Sequence, residues 1–275
     1  MTLSVALLAR DVLQVSGRDA LSFLDSQLSQ NLQTIGEGQG AASFLLQPDG
    51  KVVDLIGVHR RGDEVLLDVD RSARELVEQR LRRFLFRVEV VIAQADLNVA
   101  WWPEGAMQGS ALSVRTFGKS GQLALCEALP DGVNLLSDVE MHHERILQEI
   151  PFYGTEITDR TIPAALGTGI VASAVSFTKG CYTGQELVAR LDARGSQVPF
   201  HLAALRAGVP LKMGDALLAE PDGPNGIVTS VTTGDDGRSW FGLGFVHRSH
   251  IEGDGLRLSS GEEVQFEVLE GTGTF

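Results

Sequence analysis

Cysteine is scarce: the 275 residues contain two, Cys126 and Cys181. So few exclude a disulfide framework. Neither belongs to a C-x-x-C pair or a His/Cys spacing of zinc type, so no metal site is expected and a reducing cytosol is favoured. Long apolar runs are missing as well. None approaches the length of a membrane span, and the opening MTLSVALLARDV has no basic leader and no small-residue cleavage site. The expectation is a soluble, untargeted, cytoplasmic protein with no membrane partner. Basic charge is in deficit: 23 Lys and Arg against 36 Asp and Glu leave a formal charge of −13. That disfavours direct nucleic-acid binding by the molecule as a whole, although a local basic patch can still hold an anion. Tandem repeats and low-complexity tracts are also absent.

What is present is a folding sequence, 43% hydrophobic and long enough for one large domain or two to three packed ones. In SGRDALSFLDSQLSQNLQTI, Ala20, Leu21, Leu24, Leu28, Leu32 and Ile35 recur at helical period behind Ser16 and Asp19 at capping-box spacing, which predicts one long helix. AASFLLQ, KVVDLIGVHR and EVLLDVD are separated by Pro48-Asp49-Gly50 and Arg61-Gly62-Asp63, the pattern of an antiparallel meander. RSARELVEQRLRRFL returns to helical period, with Ser72 and Glu75 as a second capping box. Residues 87–129 read as mostly extended, DVEMHHERILQEI as a helix that Pro151 stops, and the chain from Val198 onward as short strands of a small β-barrel or sandwich, joined near Gly195 to Pro199. The class is α+β.

Several chemical motifs fail on context. Gly118-Lys119-Ser120 ends like a P-loop, but Ser113 stands where the first glycine belongs and the flanks read as a hairpin. GEGQG precedes a strand, so no helix N-terminus follows to hold a pyrophosphate. His142, His143 and Glu144 are adjacent on a helix and cannot converge on one ion; solvated surface is expected. Cys126, in LALCEA, reads as a small apolar strand residue. Asp54, in VVDLIGV, shares its expected strand face with Val52, Ile56 and Val58. A carboxylate placed there needs a partner or becomes a weak acid, as an ordinary hydrogen-bonded acid or as a ligand contact.

SFTKGCYTGQELVARLDARG differs from these. Leu187, Val188 and Leu191 give the helix that starts at GQE an apolar face, so Cys181 stands just ahead of a helix N-terminus with Lys179 close in sequence. Gly180 and Gly184 permit a tight turn that exposes the sulfur. Gln185 and Glu186 offer an amide and a carboxylate in the first turn. A functional thiol or ligand loop fits this arrangement better than a buried structural cysteine.

KGCYTGQE, Lys179 to Glu186, resembles the signature of the YgfZ family of folate-binding proteins, relatives of the glycine-cleavage T-protein, an aminomethyltransferase. The likeness extends through GRDALSFLDSQLSQNL, LLQPDGKVVDLI, LRRFLFRVEV, ERILQEIPFYGTEI and NGIVTSVTTGDDGRSWFGLGFV, nearly the whole chain. It implies a T-protein-like α+β body with an inserted ferredoxin-like portion and a C-terminal β-barrel around a folate-sized cavity. The expected division is a discontinuous folate-binding body over 1–45 and 115–196, the insertion over 46–114 and the barrel over 197–275. The implied function is a tetrahydrofolate-binding accessory role in assembling or repairing iron–sulfur clusters of client enzymes, radical tRNA-modifying enzymes among them. Cys181 would be the key thiol, with Lys179, Gly180, Tyr182, Gln185, Glu186 and Arg190 shaping a cofactor loop and Arg190 or Arg194 meeting the folate's glutamate tail. The family's Ile-Pro element commonly places a pterin-pairing glutamate where TIPAALG has Ala165. The resemblance also keeps open a tetrahydrofolate-dependent one-carbon transferase or demethylase using Asp54, and a scaffold that has kept the fold without folate.

Overall fold

The computed structural model describes residues 4–103, 110–192, 198–219, 223–251 and 255–269. From the N-terminus, β1 (Ser4–Leu7) and β2 (Arg10–Ser16) lead into α1 (Ala20–Gln27), followed by the meander β3 (Gly40–Leu46), β4 (Val52–Arg61) and β5 (Glu64–Asp70). Then come α2 (Arg74–Arg82), β6 (Val91–Ala95), β7 (Asn98–Trp102), β8 (Ser113–Phe117), β9 (Gly121–Cys126), β10 (Asn134–Leu135) and α3 (Asp138–Leu147). Two short helices, α4 (Thr168–Ala174) and α5 (Gln185–Asp192), precede β11 (Phe200–Ala207), β12 (Ala216–Ala219), β13 (Gly223–Thr233), β14 (Trp240–His247), β15 (Leu256–Arg257) and β16 (Glu263–Val268). No helix among the described residues is long and apolar enough to cross a membrane.

These strands make two five-stranded sheets, β3-β4-β5-β2-β6 and β10-β1-β7-β9-β8, and a closed barrel, β11-β14-β13-β12-β15-β16. Strands from residues 46–114 are shared between both sheets: β4, β5 and β6 lie in the first and β7 in the second. Helices α1 and α2 bury Phe23, Leu24, Val77 and Leu81 against Leu13, Ile56 and Leu67 of the first sheet. The opposite face of that sheet supplies Phe44, Leu46 and Leu55 to a central core, which Trp101 and Leu123 of the second sheet and Leu202 and Leu243 of the barrel complete. Period-two alternation sends neighbouring Trp101 and Trp102 to opposite faces, so Trp102 packs with Cys126 on the far side of the second sheet.

Four local expectations are corrected. The helix expected to run to Ile35 ends at Gln27, because Leu28 is extended and Leu32–Thr34 form a single 3₁₀ turn, which buries Leu28 and Leu32 without continuing the helix. Neither expected capping box forms. Asp19 Oδ2 instead accepts from the Glu89 N–H at 2.8 Å, and the Ser72 hydroxyl donates to Asp70; the reciprocal box is Ser137 with Glu140 at the start of α3. His142 and His143 are half-buried against the barrel, where His142 Nε2 lies 3.2 Å from the Val231 carbonyl and His143 Nδ1 2.9 Å from Thr232 Oγ1. Finally, the β3–β4 ladder slips between Leu45 and Leu46, pairing them with Asp54 and Val52 and leaving Val53 as the extra residue. This bulge puts Val52 in a different core from Ile56 and Val58, so the single shared face does not exist.

A buried ion pair joins the body to the barrel. Glu156 accepts from Thr229 Oγ1 at 2.8 Å, Ser230 Oγ at 2.6 Å and the Phe152 N–H at 2.9 Å. Arg145 of α3 donates to Ser230 Oγ at 2.6 Å and lies 3.4 Å from Glu156, so both charges are compensated where β13 meets α3.

Candidate functional site

Lys179 is turned inward. Its side chain is 2% exposed, and Nζ donates to the carbonyls of Asp25 (2.6 Å), Gln30 (2.7 Å) and Leu28 (3.0 Å) and to Asp25 Oδ1 (3.0 Å). Asp25 Oδ1 also accepts from the Leu32 N–H at 2.9 Å. Carbonyls at a helix C-terminus lack intrahelical donors and attract a cation, so one ammonium closes the end of α1 and pins the following turn. Burial lowers the Lys179 pKa, and the Asp25 carboxylate opposes it. Tyr182 is the loop's second anchor: it packs in the central core with its ring centroid 5.6 Å from Lys179 Nζ, and burial pushes its phenol up to about 12.

Between these anchors Gly180 and Cys181 face solvent. At Gly184 the chain takes φ +81°, and a Cβ there would sit 2.7 Å from the Gln47 carbonyl; at Gly50 one would sit 2.6 Å from Leu187 Cβ. Both glycines are therefore set by the close approach of α5 to the β3–β4 turn, which joins PDG to KGCYTGQE in space. Gln185 opens α5 half-buried, while Glu186 and Arg190 are exposed. Arg194 lies outside the described residues. Cys126 is buried, and burial raises its thiol pKa, whereas Cys181 is exposed, so the two cysteines differ in access. No group of three or more His, Cys, Asp and Glu side chains among the described residues is placed to hold a metal ion.

Asp54 occupies a separate place. With Arg10, Asp70, Phe117, Met141 and Tyr153 it lines a cavity of about 60 Å³, and no residue from 179 to 190 lines it. The carboxylate accepts from the Asp70 N–H at 3.0 Å. Burial pushes its pKa up to about 6, against the pull of Arg10 and that N–H. A raised carboxyl binds its proton more tightly when folded, so its contribution to stability is present at low pH and is lost as pH rises from about 4 to 6. Asp54→Asn should therefore stabilise the protein at pH 8 by up to about 3 kcal/mol and have little effect at pH 4. Urea denaturation of both proteins at the two pH values checks this; an equal difference at each pH would mean that Asp54 is solvated.

The fold supports its wall with a cluster that the sequence reading did not single out. Asp68, fully buried on β5, accepts from Arg10 Nε at 2.5 Å and from Arg115 Nη2 at 3.1 Å and Nε at 3.2 Å, with His59 Nε2 at 2.7 Å. Burial alone would raise its pKa, but Arg115, Arg10 and His59 outweigh burial and hold it well below the usual carboxylate range. Burial depresses His59, so the neutral ring donates from Nε2 to Asp68 and accepts at Nδ1 from Ser113 Oγ, 3.0 Å away. Arg10 also donates to the Leu55 carbonyl at 3.0 Å, which fixes its guanidinium at the cavity. The available sequence signals were Gly57, a glycine inside a strand, and Asp68 within an apolar strand.

A folate does not fit this cavity as it stands. Sites for drug-sized ligands occupy roughly 300 Å³ or more, against about 60 Å³ here. Ala165, on the 3₁₀ turn Pro163–Leu166, does not line it and brings no carboxylate.

No family model matches the chain. It is 27% identical over 244 residues to the tRNA-modifying protein YgfZ of an Enterobacter strain, across 73% of this chain and 74% of that protein. It is 26% identical over 221 residues to the mitochondrial iron–sulfur cluster assembly factor IBA57 homolog of Neurospora crassa, across 69% of this chain but 50% of that protein. Among solved structures, the glycine cleavage system aminomethyltransferase T from Bartonella henselae superposes with a TM-score of 0.76 over 97% of this chain and 85% of its own, at 15% identity. The body and barrel thus have the T-protein fold. Within that fold the chain is similar in sequence to proteins of the YgfZ family, at about a quarter identity over most of its length.

Proposed function

We propose that the chain is an accessory factor in assembling or repairing the iron–sulfur clusters of client enzymes, tRNA-modifying enzymes among them, and that it acts through Cys181. The observation that carries this reading is the exposed Cys181 on a loop whose flanking residues, Lys179 and Tyr182, are both buried anchors. A thiol held out in this way is a soft ligand for iron and a site for persulfide chemistry. No group of three or more metal-ligating side chains is placed to hold an ion among the described residues, so the thiolate cannot complete a cluster site alone and the remaining ligands come from the client. Gly180 leaves the sulfur uncrowded, and Gln185, Glu186 and Arg190 form the polar rim that a client meets. A reduced folate would have to widen the Arg10–Asp54 cavity to bind there.

In cells lacking the protein, Cys181→Ser should abolish rescue of iron–sulfur enzyme activity with the fold intact, since replacing sulfur by oxygen at an exposed site removes little packing. Cys126→Ser and Asp54→Asn should still rescue. The second reading, a one-carbon transferase, is favoured by the buried Asp54 carboxyl poised near neutrality. Inactive Asp54→Asn beside active Cys181→Ser would establish it instead.

A further inference from the structure

The segment RLRRFLFRV, residues 80–88, carries four arginines and no carboxylate in a chain of net charge −13. It runs from the last turn of α2 toward β6 and leaves Phe84, Phe86 and Val91 on the surface, Phe86 being 73% exposed. Arg82 is held by Glu78 at 2.7 Å and by the Ile92 carbonyl. Arg83 and Arg87 have no carboxylate partner among the described residues, and Arg87 takes a left-handed backbone, φ 57°. Guanidinium groups cover one side of each ring: Arg80 lies 4.3 Å from the Phe84 centroid and Arg87 5.0 Å from that of Phe86.

We propose that this face docks an acidic protein surface bearing an apolar contact, beside the Cys181 loop. Arginine and aromatic side chains are the groups that protein interfaces favour, and exposed rings flanked by unpaired guanidiniums call for an apolar contact rimmed by carboxylates. A nucleic acid is disfavoured by the charge of −13 and because each ring already has a guanidinium on one face. A second copy is disfavoured because a two-fold contact of this face with itself sets arginines against arginines. The cysteine loop shares its supports: Arg80 donates to the Leu46 carbonyl at 3.3 Å and to Gln27 at 3.4 Å, Lys179 holds the end of α1, and Gly184 packs on Leu46. Both features rest on the ends of α1 and β3. A partner gripping the arginines would thus meet the thiol's neighbourhood; this deepens the accessory-factor reading and rests on it for the partner's purpose.

Fluorescence anisotropy with a labelled 20-residue amphipathic peptide of Glu, Asp, Leu and Phe tests the surface on the full chain. Binding should weaken with salt, fall about ten-fold or more in Arg83→Glu/Arg87→Glu and in Phe86→Ala, and vanish when the acids of the peptide become Gln and Asn. Tighter binding of a single-stranded RNA 20-mer, self-association by sedimentation that the same variants abolish, or no binding by any probe would each overturn the proposal. Rescue in cells separates it from the reading it deepens. Inactive Cys181→Ser with fully active Arg83→Glu/Arg87→Glu removes the docking face alone, whereas active Cys181→Ser removes the thiol function whatever the arginines do.

Discussion

Gly57→Ala is expected to lower stability by more than about 4 kcal/mol, which for a chain of this size is a fall of about 8 °C or more in melting temperature. A Cβ on Gly57 would be driven into the Asp68 carboxylate and would lie 2.5 Å from Arg115 Nε. Neither group can retreat at little cost. Asp68 is held by Arg10, His59 and Arg115, all from other strands, and moving it would leave two guanidiniums buried without their anion. Removing one partner of a buried charge cluster costs about 3–5 kcal/mol. Gly208→Ala is the control: an added Cβ meets nothing within 4 Å, so its melting temperature should stay near the wild-type value or rise slightly. Wild-type melting of Gly57→Ala would show that the Asp68 cluster is loose and does not brace the wall around Arg10 and Asp54.

Lys179→Met is expected to cost about 3 kcal/mol or more, because the methionine keeps the stem and removes the ammonium. Three main-chain carbonyls, of Asp25, Leu28 and Gln30, then lose their side-chain donor at once. A buried acceptor left without a partner costs about 1–3 kcal/mol. Arginine should not restore the wild-type melt, since a planar guanidinium cannot aim its donors as a compact ammonium does. Hydrogen exchange should quicken both at the 28–32 turn and across 180–185, because this side chain ties the start of the cysteine loop to that turn. A Lys179→Met protein with unchanged melting temperature but slower alkylation of Cys181 would show instead that the lysine serves the thiol directly.

Local periodicity was sufficient for the meander, for α2 and α3, and for the strand-rich C-terminal part, because each turn and apolar repeat acts over a few residues. It was also sufficient to place Cys181 on a turn ahead of α5, because a cysteine between Gly180 and Gly184 before an apolar-faced helix is a local pattern. It was insufficient for α1, whose apolar spacing continues to Ile35 although the chain leaves the helix at Leu28. The same period can be buried by an extended segment and a 3₁₀ turn when a lysine 151 residues away takes the Leu28 carbonyl. The first capping box failed for the same reason, since Asp19 found the Glu89 N–H, a partner 70 residues distant, whereas the second lost Ser72 to the neighbouring Asp70. The β4 bulge, which re-aims the strand around Asp54, depends on how β3 pairs with it. Asp68 shows the limit most plainly. Arg10 and Arg115 lie 58 and 47 residues from it in sequence, and nothing local says that three strands bring their charges to one buried point. The cost of desolvating an unpaired charge enforces that meeting, and the cost is felt only once the sheets have closed.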